Sequence, residues 1–170
     1  MPFIYDICHG YIPYNDTETR FLDNHWVKRL KRIKQLGLLE HVFPSASHSR
    51  FEHSLGVSHI AENYVETLLK NSPKIESYKK EYKFCIKMAG LFHDLGHGPF
   101  SHVFDGEFMK RRCPDLKFTH EQMSLKMLDY MIDDNNIDIE QDHVQFVKDL
   151  IMASEHAKSS KGKTREREFL

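Results

Sequence analysis

The chain has 170 residues, 24 Lys plus Arg against 25 Asp plus Glu, and 40% hydrophobic residues. That suffices for one domain with its own core, and the balanced charge excludes an overall field that would draw the molecule to nucleic acid or to a membrane. The three cysteines, Cys8, Cys85 and Cys113, form no CxxC pair, so neither a cysteine zinc site nor a disulfide framework is implied. No targeting segment or bilayer-long apolar run is visible, so the expected compartment is cytoplasmic or nuclear, with no membrane partner.

Residues 1–14 read as an extended arm, with strand-like Ile4, Tyr5, Ile7, Tyr11 and Ile12 punctuated by Gly10 and Pro13. From there the pattern is helical. "HWVKRLKRIKQLG" (25–37) places Val27, Leu30, Ile33 and Leu36 on one stripe, with Gly37 as the stop. Its other face is basic, from Lys28 and Arg29 through Lys31 and Arg32 to Lys34; a solvated face is expected, and phosphate or single-stranded nucleic acid is the alternative use. A loop, "VFPSASHSR", leads into a helix carrying Val57, Ile60, Ala61, Tyr64, Val65, Leu68 and Leu69, stopped by Asn71, Ser72 and Pro73. The next helix is predicted from about Tyr78 to Leu95, followed by a Gly/Pro loop. Thr119 and Gln122 of "THEQ" form a capping box that opens a helix through Met131 and Ile132, broken by "DDNN". A last helix covers roughly 139–153, and the remaining tail is polar and expected to be mobile. The predicted architecture is an all-α bundle with a short extended N-terminal arm.

"GLFHDLGHGPFSH" (90–102) does not belong to a plain core: glycines and proline weaken a helix, and an adjacent His-Asp is costly to bury without partners. His93 and His97 are four apart, share a helix face and could on spacing alone bind one ion, while Asp94 lies to the side. Alternatively an ion takes His93 and Asp94 together. Either way a further ligand must come from elsewhere, and His53 of "RFEH" is the candidate.

"RFEH" at 50–53 followed by "HD" at 93–94 resembles the HD phosphohydrolase superfamily. "IKQLG" (33–37), "FPSASHSRFEHSLGV" (43–57), "AGLFHDLGHGPFSHVFD" (89–105) and "THEQ" (119–122) resemble its deoxynucleoside triphosphate triphosphohydrolase branch, which in animals joins a sterile-alpha-motif to the HD domain. The resemblance implies hydrolysis of a dNTP to deoxynucleoside and inorganic triphosphate. It implies His53, His93 and Asp94 as ligands of a divalent metal, where Fe, Mn, Mg or Zn all suit the donors. His97 is then turned to substrate, and His97, His102, Asp105 and His120 form the catalytic group. In that group His102 is the candidate general acid, with Asp105 available to hold its ring. Arg50, His97 and His102 are expected against the phosphates and Gln35 and Leu36 against the deoxyribose.

Two departures follow from the same resemblance. The family's fourth metal ligand, an Asp, lies beyond the point where this sequence ends, so residues 1–170 are expected to be the N-terminal portion of an HD domain with impaired activity. The guanine-reading helix of the animal enzymes is matched by Asp23, Lys28 and Lys31, where two of three recognition groups have become lysine; a regulatory nucleotide and a homo-oligomer are therefore expected with weak base preference. The rival readings are an HD phosphodiesterase or nucleotidase, and a non-catalytic fragment that binds a nucleotide or a partner.

Overall fold

The structure is a computed structural model that describes residues 2–71 and 79–159. The arm folds back on itself. Strands β1 (Phe3–Asp6) and β2 (Gly10–Pro13) pair antiparallel, with Ile4 opposite Ile12. The Asp6 carboxylate closes the turn by accepting from the backbone N–H groups of Cys8 and His9, each at 2.9 Å.

The helix predicted over 25–37 is instead a short helix and a 3-10 turn, and a separate helix precedes them. α1 (Asp16–Asp23) starts on an Asn15–Glu18 capping box, and α2 (His25–Arg29) starts on Asn24, whose side chain accepts from Trp26 N–H. A 3-10 turn over Leu30–Arg32 ends the run. Ile33 is extended, Lys34 pairs with Ser49 in an isolated bridge, and Gly37 turns the chain at φ +60°. The stripe therefore fails at its last member: Val27, Leu30 and Ile33 are buried while Leu36 is exposed.

α3 (Arg50–Asn71) and α4 (Lys79–Phe92) form the central pair, α7 (Gln141–Ser159) packs on α4, and α6 (His120–Asn135) lies alongside. α3 ends at Asn71 as the sequence predicts, but Ile60 and Tyr64 of its predicted stripe face outward, and its buried large apolar side chains are Phe51, Leu55, Val65 and Leu69. α6 passes through the first three residues of "DDNN" and stops at Asn136, which takes the left-handed C-cap conformation. Between α4 and α6, where the sequence predicts a Gly/Pro loop, lies a helical stretch, a π-type turn over Phe104–Met109 continued by α5 (Lys110–Arg112). The core gathers Phe21, Val27 and Leu30 with Cys85, Met88, Leu91 and Phe92 of α4, Leu128 and Met131 of α6, and Val147 and Ile151 of α7. The all-α expectation holds, with the hairpin as its one sheet among the described residues. No described helix is long and apolar enough to cross a membrane. The tail predicted as mobile from Ser154 is helical through Ser159 as the end of α7, and its remainder lies outside the described residues.

Candidate active site

α4 ends at Phe92, so His93 and Asp94 project from its C-terminal turn and His97 stands on the loop beyond. The shared helix face for His93 and His97 is thereby overturned, because the glycines stop the helix before the second histidine. His53 approaches from the first turn of α3. Ser49 caps that turn: its N–H and hydroxyl both donate to Glu52 Oε2, at 2.6 and 2.7 Å.

His53 Nε2 and His93 Nε2 face each other at 3.2 Å, and Asp94 places Oδ2 3.5 Å from the former and Oδ1 3.3 Å from the latter. His93 Nδ1 sits 2.8 Å from the Gly90 carbonyl, which assigns its proton to Nδ1 and leaves a lone pair on Nε2. Burial pushes the His53 imidazole down, toward the neutral form that can coordinate, against the pull of Asp94. For Asp94 burial works in the opposite sense, raising its carboxyl, but the approach of His97, with His93 and the Arg50 guanidinium beside it, outweighs burial and holds the group well below the usual carboxylate range.

Arg50 is fully buried. Its guanidinium pairs with Asp94, its Nε donates to Ser101 Oγ at 2.8 Å, and Ser101 Oγ donates to the Lys34 carbonyl at 2.9 Å. This chain of bonds holds Phe100 and Ser101 in consecutive left-handed conformations, φ +62° and +55°. Such positions cost non-glycine residues of order 1–2 kcal/mol each.

Behind these groups, His97, His102, Asp105 and His120 come together. His97 and His120 stack with centroids 3.8 Å apart, and His102 stands edge-on to both. Asp105 does not hold His102, contrary to the sequence expectation. Its Oδ2 accepts from His120 Nδ1 at 3.1 Å and lies 3.2 Å from His97 Nδ1, because the π-type turn aims the carboxylate inward, toward α6. Burial lowers His97 and His120 and raises Asp105.

Of the expected phosphate contacts, Arg50 and His97 are fully buried and His102 is exposed. On the sugar side Leu36 is exposed, and Gln35 keeps a buried Oε1 without a hydrogen-bond partner. Asp23 and Lys28 form an exposed ion pair at 3.0 Å, whereas Lys31 turns away and lies over the Phe51 ring.

Sequence reasoning missed two supports. Arg29, assigned to a solvated basic face, is half-buried and donates to the carbonyls of Leu95 and His97 at 2.6 and 2.9 Å. Ser124 of α6 donates to the His93 carbonyl and accepts from Gly96 N–H. Neither position carries a local signal, since each acts on carbonyls or amides distant in the chain.

The HD domain family model matches residues 50–168, which contain His53 and the His93–Asp94 pair. The chain belongs to the HD domain family.

The match leaves the hairpin, α1 and α2 outside, so Arg29 reaches into this HD domain from a segment that precedes it. Relatives are similar over more of the chain. The deoxynucleoside triphosphate triphosphohydrolase SAMHD1 homolog of Dictyostelium discoideum is 42% identical over 91% of this chain and 30% of its own length. Deoxynucleoside triphosphate triphosphohydrolase SAMHD1 of Homo sapiens is 45% identical over 81% of this chain and 22% of its own. A putative HD domain-containing protein, L394, of Acanthamoeba polyphaga mimivirus is 33% identical over 84% of this chain and 34% of its own. The chain thus spans about a third or less of the length of these curated relatives.

Proposed function

We propose that this HD domain serves a metal-dependent deoxynucleoside triphosphate triphosphohydrolase, which cleaves a dNTP to deoxynucleoside and inorganic triphosphate. The observation that carries the proposal is the convergence of His53, His93 and Asp94, whose donor atoms lie within 4.8 Å of one another, in a chain whose relatives bear that activity in their names. The donors fit a divalent ion: a lone pair on His93 Nε2, a His53 held neutral, and a carboxylate kept ionised. Two imidazoles and a carboxylate suit Fe, Mn, Mg or Zn alike. An ion so held supplies Lewis acidity toward a phosphoryl oxygen and lowers the pKa of water.

The remaining roles belong to the side chains. Arg50 acts from below, fixing Asp94 and adding positive charge beside the phosphates. His102, the exposed member of its cluster, donates the proton that the departing 5′-oxygen requires, since an alkoxide is a poor leaving group. The Asp105–His120 pair behind it holds a proton in reserve. Gln35 and Leu36 line the sugar, and an apolar Leu36 beside a 2′-hydroxyl would leave that group without a partner, which disfavours ribonucleotides. The Asp23–Lys28 pair and Lys31 are proposed as contacts to a regulatory nucleotide that read its phosphates rather than its base, with homo-oligomeric assembly as the associated state.

The test is metal analysis and product analysis on the same preparations. His53→Ala and Asp94→Asn are expected to lose the bound ion, and metal-loaded chain is expected to release deoxynucleoside and triphosphate from a dNTP. Release of monophosphate or pyrophosphate would assign a different HD phosphohydrolysis. Full metal retention by both variants would overturn the site itself.

A further inference from the structure

The cluster behind the first donor set has the form of a ligand set in its own right. His97, His102, Asp105 and His120 each offer one donor atom, and these atoms lie within 4.8 Å of one another. Asp105 Oδ2 is 3.1 Å from His120 Nδ1 and 3.2 Å from His97 Nδ1. Ligands of a tetrahedral ion with bonds of roughly 2.0–2.1 Å stand roughly 3.3 Å apart, so Asp105 Oδ2 already stands at coordination-sphere spacing from both histidine nitrogens.

Two further observations point to a ligand. His97 is completely buried, yet neither ring nitrogen makes a well-aligned hydrogen bond, and Asp105 Oδ1 is likewise buried without one. Leaving buried polar atoms without partners is costly, and a site prepared for an ion accounts for that cost. The far nitrogens of the stacked histidines also face carboxylates: His97 Nε2 is 3.5 Å from Asp94 Oδ1, and His120 Nε2 is 3.4 Å from Glu121 Oε1. A metal-ligating histidine usually gives its outer N–H to such a carboxylate.

We propose that His97, His102, Asp105 and His120 form a second metal site, selective for Zn²⁺ and similar imidazole-preferring ions, and that filling it inhibits hydrolysis. Three imidazoles and one carboxylate favour such an ion over Mg²⁺ or Ca²⁺. Inhibition follows because the lone pairs that His102 and His120 need for moving a proton are then committed to the ion. The inhibitory half rests on the phosphohydrolase reading above; the binding half rests on geometry alone.

The experiment strips the chain with a chelator and titrates it with Co²⁺, reading visible absorption, and with Zn²⁺, reading metal content after gel filtration. Wild type is expected to take two equivalents. His53→Ala is expected to keep one, with the intense spectrum of four-coordinate Co²⁺. His102→Ala and His120→Asn are each expected to lose that spectrum and keep the other equivalent. His102 is exposed, so its replacement does not disturb the core. A single equivalent in wild type, lost with His53→Ala but untouched by His102→Ala and His120→Asn, would overturn the second site and leave the first standing. Two equivalents retained by both cluster variants would place the extra ion elsewhere and overturn it as well. In the metal-loaded chain, the second Zn²⁺ equivalent is expected to lower dNTP turnover on the order of 100-fold, the scale of general-acid catalysis. Unchanged turnover with the second site filled would overturn the inhibitory half.

Discussion

Two buried charge clusters among the described residues are built to opposite rules. Around Lys87, three donors meet three acceptors: the ammonium reaches the Pro13 carbonyl at 2.8 Å and the carboxylates of Glu18 and Glu62 at 3.1 Å each, under the Tyr14 ring. It ties the hairpin exit, α1, α3 and α4 into one body. Around His97, in contrast, both ring nitrogens of that histidine and Asp105 Oδ1 are buried without hydrogen bonds. A buried ionic network that only holds a fold satisfies its members. One that leaves buried nitrogens and a carboxylate oxygen open is kept for something other than stability, and the histidine side of the molecule is that kind.

The comparison breaks most readily at Lys87. Lys87→Met leaves Glu18 buried without its cation, and an equilibrium denaturation curve is expected to show a loss of about 3–5 kcal/mol. A loss below ~1 kcal/mol would mean that the network is not the fold's anchor. Gly96→Ala tests how tightly the histidine side is closed. A Cβ there would stand 2.1 Å from the His120 carbonyl oxygen and 2.5 Å from Ser124 N, both backbone atoms at the start of α6. The expected cost is about 1–3 kcal/mol, with the α6 amides showing faster hydrogen exchange than those of α3. The smallest effect sharpens the comparison at the rim. The Glu52 carboxyl is held below its ordinary value by its bonds to the Ser49 hydroxyl and N–H. A depressed folded-state pKa stabilises above the unfolded value, about 4.3, and the contribution is lost as pH falls through the folded one. Glu52→Gln is therefore expected to cost ~0.3–1 kcal/mol at pH 7 and nothing at pH 2, in paired thermal melts. An equal cost at both pH values would assign the effect to packing.

Much of this was legible in residue order. The stop of α3 at Asn71, the Thr119 N-cap and the all-helical class rest on local periodicity and capping, which act within a turn or two of chain. The convergence of His53 with His93 and Asp94 was readable from the residue types and their motif resemblance, because coordination chemistry demands particular donors. Other features were not readable. The basic stripe that continues to Gly37 looks like one helix, yet the bridge between Lys34 and Ser49 pulls Ile33 into extended form. Arg29 looked like one more surface cation until the ends of α4 and its loop came under it.

By itself the sequence determined which groups could do chemistry and the helical class, since these depend on side-chain identity and local propensity; it carried α4 to about Leu95, whereas the helix stops at Phe92. Only the tertiary structure decided that Asp105 faces His120 and His97 rather than His102, that Arg50 and His97 are buried, and that three unpartnered buried atoms gather in one place. The physical reason is the same in each case. Which hydrogen bonds a buried polar group makes depends on how close the elements pack around it, and that distance is written in no single stretch of chain.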